Sequence, residues 1–158
     1  MKSKIFLYPL VYLTLIFSPT LLCAEQAIRI HCVGDGFRMF KDIGSEDISV
    51  EKFYEFYEDR MTETVNSGIS EHTKQQITQK TNSNYGIYSI KPKEIYVQHD
   101  EKILGNNGNV ISSQWKQISI NRQTSKWDFM LISNLPGLAP NTISIHGFCE
   151  PWKPENKF

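Results

Sequence analysis

Two short stretches carrying cysteine stand at opposite ends of the chain and constrain it more than anything between them. Near the start, Ile28-Arg29-Ile30-His31-Cys32 alternates branched apolar residues with polar ones. Near the end, Ile143-Ser144-Ile145-His146-Gly147-Phe148-Cys149 does the same. A period of two is the mark of a half-buried β-strand. Cys32 is in phase with Ile28 and Ile30, and Cys149 with Ile143 and Ile145, so each sulfur falls on the inner face of its strand. The pattern predicts a Cys32–Cys149 disulfide joining the first strand to the last.

The residues ahead of the first strand have a different character. Lys2 and Lys4 make a basic start, Ile5 to Phe17 is apolar but for Pro9 and Thr14, and Ser18-Pro19-Thr20 breaks the run before Leu22-Cys23-Ala24. That order is the layout of a secretory signal peptide over residues 1–24, with residues 25–158 forming one β domain. The apolar run is short for a membrane span, and no later run has that length, so no stable span is expected in the mature chain. Cys23 raises the alternative of a lipid anchor; Leu22 before it is bulkier than the small residue such anchors use. Export to an oxidising compartment, periplasmic or secreted and bacterial, fits the expected disulfide.

Cleavage after Ala24 leaves 134 residues, enough for one domain with a core of its own. Lys2 and Lys4 are lost with the leader, so 15 basic residues face 17 acidic ones. This balance excludes the dense cationic face that nucleic acid rewards.

Between the cysteines the chain reads as a series of short strands and turns. Gly34-Asp35-Gly36 is read as a turn and 42–47 as a loop. Residues 49–62 fit either period: Val50, Phe53, Tyr54, Tyr57 and Met61 recur at helical spacing, whereas the run of aromatics favours a strand. The strand reading is preferred, with a helix on one side of an open, twisted sheet as the alternative. Residues 62–84 are polar and weakly patterned, too long to be wholly structureless in a compact domain. Strands follow at 85–90 and 95–99, with turns at Lys91-Pro92 and Asn107-Gly108. Trp115 to Asn121, Trp127 to Leu131 and 142–149 are the remaining strands. The expected fold is all-β: an antiparallel meander curling into a small barrel or strongly twisted sheet, its first and last strands linked by the disulfide. The layout resembles that of small exported bacterial proteins of unassigned function, in which an early cysteine and a late glycine-x-cysteine (here Gly147-Phe148-Cys149) bracket a β meander.

No catalytic set or cofactor motif stands out. His99-Asp100-Glu101 lacks a serine in a nucleophile-elbow setting, and the glycines at 34–36 and 105–108 lie outside any phosphate-cradling strand–helix context. Both cysteines are committed to the cross-link. His31 and His146, on the face opposite the sulfurs, are weak metal candidates without a familiar ligand spacing. Aromatics are the better candidates for recognition: Tyr96, Trp115, Trp127, Phe148 and Trp152, the last also placed to plug one end of a barrel. The sequence therefore predicts an exported, non-catalytic binding protein that recognises another protein, as an inhibitor or immunity factor would. A carrier of a small apolar ligand in a barrel cavity is the alternative, and a periplasmic hydrolase a more distant one.

Overall fold

The computed structural model describes residues 26–40, 43–65, 68–81, 84–134 and 141–153. Expectations for the leader and Cys23 fall outside these residues, as do residues 135–140 of the loop read from sequence over Asn134 to Asn141. Among the described residues, nine strands form a single antiparallel sheet: β1 (Ile28–Phe40), β2 (Gly44–Phe56), β3 (Arg60–Val65), β4 (Gly68–Thr73), β5 (Asn84–Ile90), β6 (Glu94–Leu104), β7 (Val110–Asn121), β8 (Lys126–Asn134) and β9 (Asn141–Pro151). One short helix, α1 (Lys74–Thr78), lies between β4 and β5 in the chain. The order across the sheet is β4-β3-β2-β1-β9-β8-β7-β6-β5, curled into a half-barrel.

The first and last strands pair at the middle of this sheet. Cys32 stands directly opposite Cys149, and the two are disulfide-bonded with Cα atoms 4.0 Å apart. The backbone N–H of Cys149 donates to the Ser125 carbonyl, away from β1. The cysteines therefore occupy a non-hydrogen-bonded site, where facing side chains of an antiparallel ladder come closest.

The remaining seam behaves differently, for a topological reason. Neighbouring strands alternate in direction, and nine is odd, so the edge strands β4 and β5 run the same way. A tight hairpin joins only antiparallel strands. Here α1 makes the connection and packs against both edges. Thr73 and Gln76 form a reciprocal capping box at its start, and Ile77 inserts into the core. Gly86 makes room for it: a Cβ there would lie 2.4 Å from the Ile77 carbonyl oxygen. The Tyr88 hydroxyl donates to the carbonyls of Tyr57 (2.7 Å) and Arg60 (2.5 Å), tying β5 to the β2–β3 turn.

Several local expectations are corrected. Gly34 and Gly36 do not turn the chain; they lie inside β1, where they let β9 approach. A Cβ on Gly36 would meet the Ser144 carbonyl oxygen at 1.9 Å, and one on Gly147 the Val33 carbonyl oxygen at 2.1 Å. The loop expected at 42–47 is shorter, since β2 begins at Gly44 with φ +112°. The helix alternative at 49–62 gives way to the end of β2, a turn, and the start of β3. Residues 62–84 hold most of β3, all of β4, and α1.

The core fills the concave side. Ile30, Tyr54, Phe56, Met61, Ile77, Tyr88, Ile95, Val97, Ile118, Ile120, Trp127, Phe129 and Ile145 join both cysteines in one buried cluster. Ile95, Ile120 and Trp127 follow one another across β6, β7 and β8 as a layer at one end of the half-barrel. At the other end, charged residues take over the same inward phase.

Candidate functional site

The inner face changes from apolar to charged within single strands. On β2, Lys52 lies in phase with Tyr54 and Phe56; on β6, His99 follows Ile95 and Val97; on β7, Lys116 precedes Ile118 and Ile120. Strand alternation alone sends all three side chains inward. From β3 and β4, Glu63 and His72 join them. Together they line a pocket of about 260 Å³ between the arms of the half-barrel, with Met61, Val97, Phe129 and Leu131 as its apolar surface and Glu101 and Gln114 also bordering it.

Glu63 is the centre of the cluster and is only 4% exposed. Its Oε1 accepts from Lys116 Nζ and lies 3.5 Å from His72 Nε2. Its Oε2 is buried and accepts no hydrogen bond. Burial opposes the charge on Glu63. His72, Lys116 and Lys52 outweigh it and hold the carboxyl at about 2, so Glu63 is an anion at neutral pH. Lys52 is pushed below the ordinary lysine range by burial, against the pull of Glu63. Its ammonium makes one long hydrogen bond, 3.3 Å to the Thr64 carbonyl, and sits 5.9 Å from the Phe129 ring centre. His99 is lowered by burial, against Glu101, and its Nε2 is buried without a hydrogen bond.

Ser70, His72 and Glu63 bring a hydroxyl, an imidazole and a carboxylate together, which invites comparison with a hydrolase. The Ser70 hydroxyl lies 3.0 Å from His72 Nε2. That same nitrogen faces Glu63. A nucleophile–base–orienter relay uses the two ring nitrogens separately, one for the hydroxyl and one for the acid. The arrangement seen here orients the carboxylate and does not activate the serine.

The residues singled out from the sequence are mostly elsewhere. Trp127 is a core residue, 1% exposed, and not a surface anchor. Trp152 does not plug the barrel: it packs edge-on against Phe53, on the outer face, with ring centres 5.2 Å apart. Tyr96 and Trp115 lie half-buried on the outer face. Tyr96 donates to the Gln98 side chain at 2.8 Å. Phe148 points outward as expected and is 64% exposed. His31 and His146 share the outer face but are kept apart by the Val33–Phe148 pair. His31 lies between Glu51 and Glu150, while His146 pairs with Asp128 at 2.6 Å. Among the described residues, no group of three or more His, Cys, Asp or Glu side chains is arranged to hold a metal ion. No helix among them is long and apolar enough to cross a membrane.

The outer face carries a second feature. Val33 and Phe148 stand opposite one another, and further along β1, Phe37 and Met39 are also exposed. The row through Met39 continues over Thr142 and Ile132 to Trp115. The result is two apolar stretches on the outer face, Val33–Phe148 and the Phe37–Met39 side, separated by the polar row of Asp35, His146 and Asp128.

The sequence reading missed Glu63, His72, Lys52 and Lys116. For the two lysines and His99 a signal was present: each is a polar residue in the inward phase of a strand that is otherwise apolar there. Comparison with family models, curated proteins and solved structures finds no match to this chain.

Proposed function

We propose that this is an exported binding protein whose half-barrel carries a small ligand between its arms. One observation carries the reading: a buried carboxylate oxygen and a buried ring nitrogen, on Glu63 and His99, both line one pocket without a hydrogen-bond partner. Buried polar atoms are nearly always paired, and the exceptions call for a ligand or a function. The pocket also combines an apolar wall with a few convergent polar groups, as small-molecule sites do. The disulfide fits an oxidising compartment. The signal-like residues 1–24 support the periplasm or the exterior.

The test is to recover the oxidised protein from its own compartment under non-denaturing conditions and weigh it by native mass spectrometry. A small molecule retained by the wild type and lost in Glu63→Gln supports the carrier. Identical spectra before and after denaturation, with no retained mass, count against it.

Protein recognition is the second reading, and the exposed apolar side chains of Val33, Phe37, Met39 and Phe148 on the outer face support it. Exposed apolar surface on central strands is a common mark of a contact face. Substituting Phe37 and Phe148 by Ser would abolish capture of a partner without touching the pocket. Capture unchanged by that pair would remove the outer face from consideration.

A further inference from the structure

The pocket's charges specify what it holds, an inference that rests on the carrier reading. Two ammonium groups, Lys52 and Lys116, share one buried carboxylate, Glu63, while the second carboxylate of the lining, Glu101, is solvent-exposed. Lys116 is taken up by Glu63 Oε1. Lys52 is left with one weak hydrogen bond, although an ammonium has three donors. A partly buried cation without a full partner carries a cost, and a second carboxylate supplies that partner. His99 Nε2 offers a further polar contact in the same lining. Glu63 Oε2 has the opposite need: it is an acceptor that lacks a donor. Met61, Val97, Phe129 and Leu131 leave room for a short hydrocarbon body and give it no polar contact.

We propose that the ligand is a small organic acid with a hydroxyl or ammonium group near its carboxylate. Lys52 and His99 take the carboxylate, Glu63 Oε2 accepts from the hydroxyl or ammonium, and the aliphatic remainder lies on the apolar wall. This replaces the small apolar ligand of the alternative, carrier reading of the sequence. A neutral hydrocarbon would leave His99 Nε2 and Glu63 Oε2 buried and unpaired and Lys52 with its single weak bond, which disfavours it in the way that a polar site rejects an analogue lacking the matching group.

The test uses three probes of one skeleton on the unaltered, oxidised chain: α-hydroxyisocaproate, its methyl ester, and isocaproate. Binding is read from the ring signals of His72 and His99 by NMR, with His146 on the outer face as internal control. The hydroxy acid is expected to shift the two pocket histidines saturably and leave His146 unmoved. The ester should bind about tenfold or more weakly for loss of the charged contact, and isocaproate about fivefold more weakly for loss of the donor. Lys52→Gln should weaken the hydroxy acid about tenfold, and Lys52→Arg should restore most of it. An ester that binds as well as the acid overturns the assignment of an anion and leaves the carrier reading standing. Isocaproate binding as well as the hydroxy acid overturns the role of Glu63 Oε2 alone. If none of the three moves His72 or His99, the acid assignment falls, and the carrier reading is then decided by the retained mass alone. Because the probe comparison needs no variant, it holds even if Lys52→Gln fails to fold.

Discussion

The two places where the arms of this sheet meet are built on opposite principles. Where β1 meets β9, the strands run antiparallel, pair along eleven residues each, and are covalently joined. Glycines at 34, 36 and 147 bring the backbones together there. Where β4 faces β5, the strands run parallel and are not hydrogen-bonded to each other; a five-residue helix connects them, and the Tyr88 hydroxyl ties β5 to the β2–β3 turn. The pocket draws its lining from the arms and from α1, and takes nothing from β1 or β9. One seam thus supplies stability. The other is the less constrained part of the structure, as binding regions tend to be.

Breaking the closed seam should have the largest effect. Replacing both cysteines by serine frees a loop spanning a sequence separation of 117. On the chain-entropy account, this costs about 4–5 kcal/mol. Thermal melts of the oxidised wild type and the double variant check it; a difference below about 1 kcal/mol would show that the ladder alone holds the ends.

Next comes Glu63→Gln, which leaves Lys116 and Lys52 partly buried without their anion. A loss on the order of 3 kcal/mol at neutral pH is expected, typical of breaking a buried charge pair. The same carboxyl should govern acid stability. Its pKa falls from 4.5 in the unfolded chain to about 2 in the folded one, so its contribution is complete above pH 4.5 and is lost as pH falls toward 2. Denaturant titrations across that window should slope steeply for the wild type and much less for Glu63→Gln.

Gly86→Ala sharpens the contrast between seams. The added methyl meets the Ile77 and Gln98 carbonyl oxygens at 2.4 Å, so α1 must move. A cost of about 2 kcal/mol is expected, in the range of overpacked sites. Amide exchange should quicken in α1 and β5 while β1 and β9 stay unchanged. Tyr88→Phe is the mildest cut, removing the hydroxyl that ties β5 to the β2–β3 turn. About 1 kcal/mol should be lost, with faster exchange limited to the same seam.

The closed seam could be read from sequence because its signals are local: two alternating stretches and two sulfurs in phase. The open seam could not. Its direction depends on the parity of the strand count, and β3, β4 and α1 lie in a polar stretch where only Met61, Val65, Ile69 and Ile77 mark a pattern. Gly34 and Gly36 misled for a related reason. Glycine signals freedom, and here that freedom serves close approach within a strand instead of a turn. The pocket was half legible. Lys52, His99 and Lys116 occupy inward positions that alternation identifies once the strands are known. Glu63 and His72 come from the stretch that had no clear reading. Among the aromatics, Trp127 was a core residue in phase with Phe129 and Leu131, whereas Phe148 was outward by the same logic.

The most direct test is hydrogen exchange of the oxidised protein with and without α-hydroxyisocaproate. The account predicts added protection in residues 60–78 and 95–117, around the pocket and α1, with 28–40 and 141–151 already slow and unchanged. Protection gathered on the outer face of β1 and β9, or none anywhere, would contradict it.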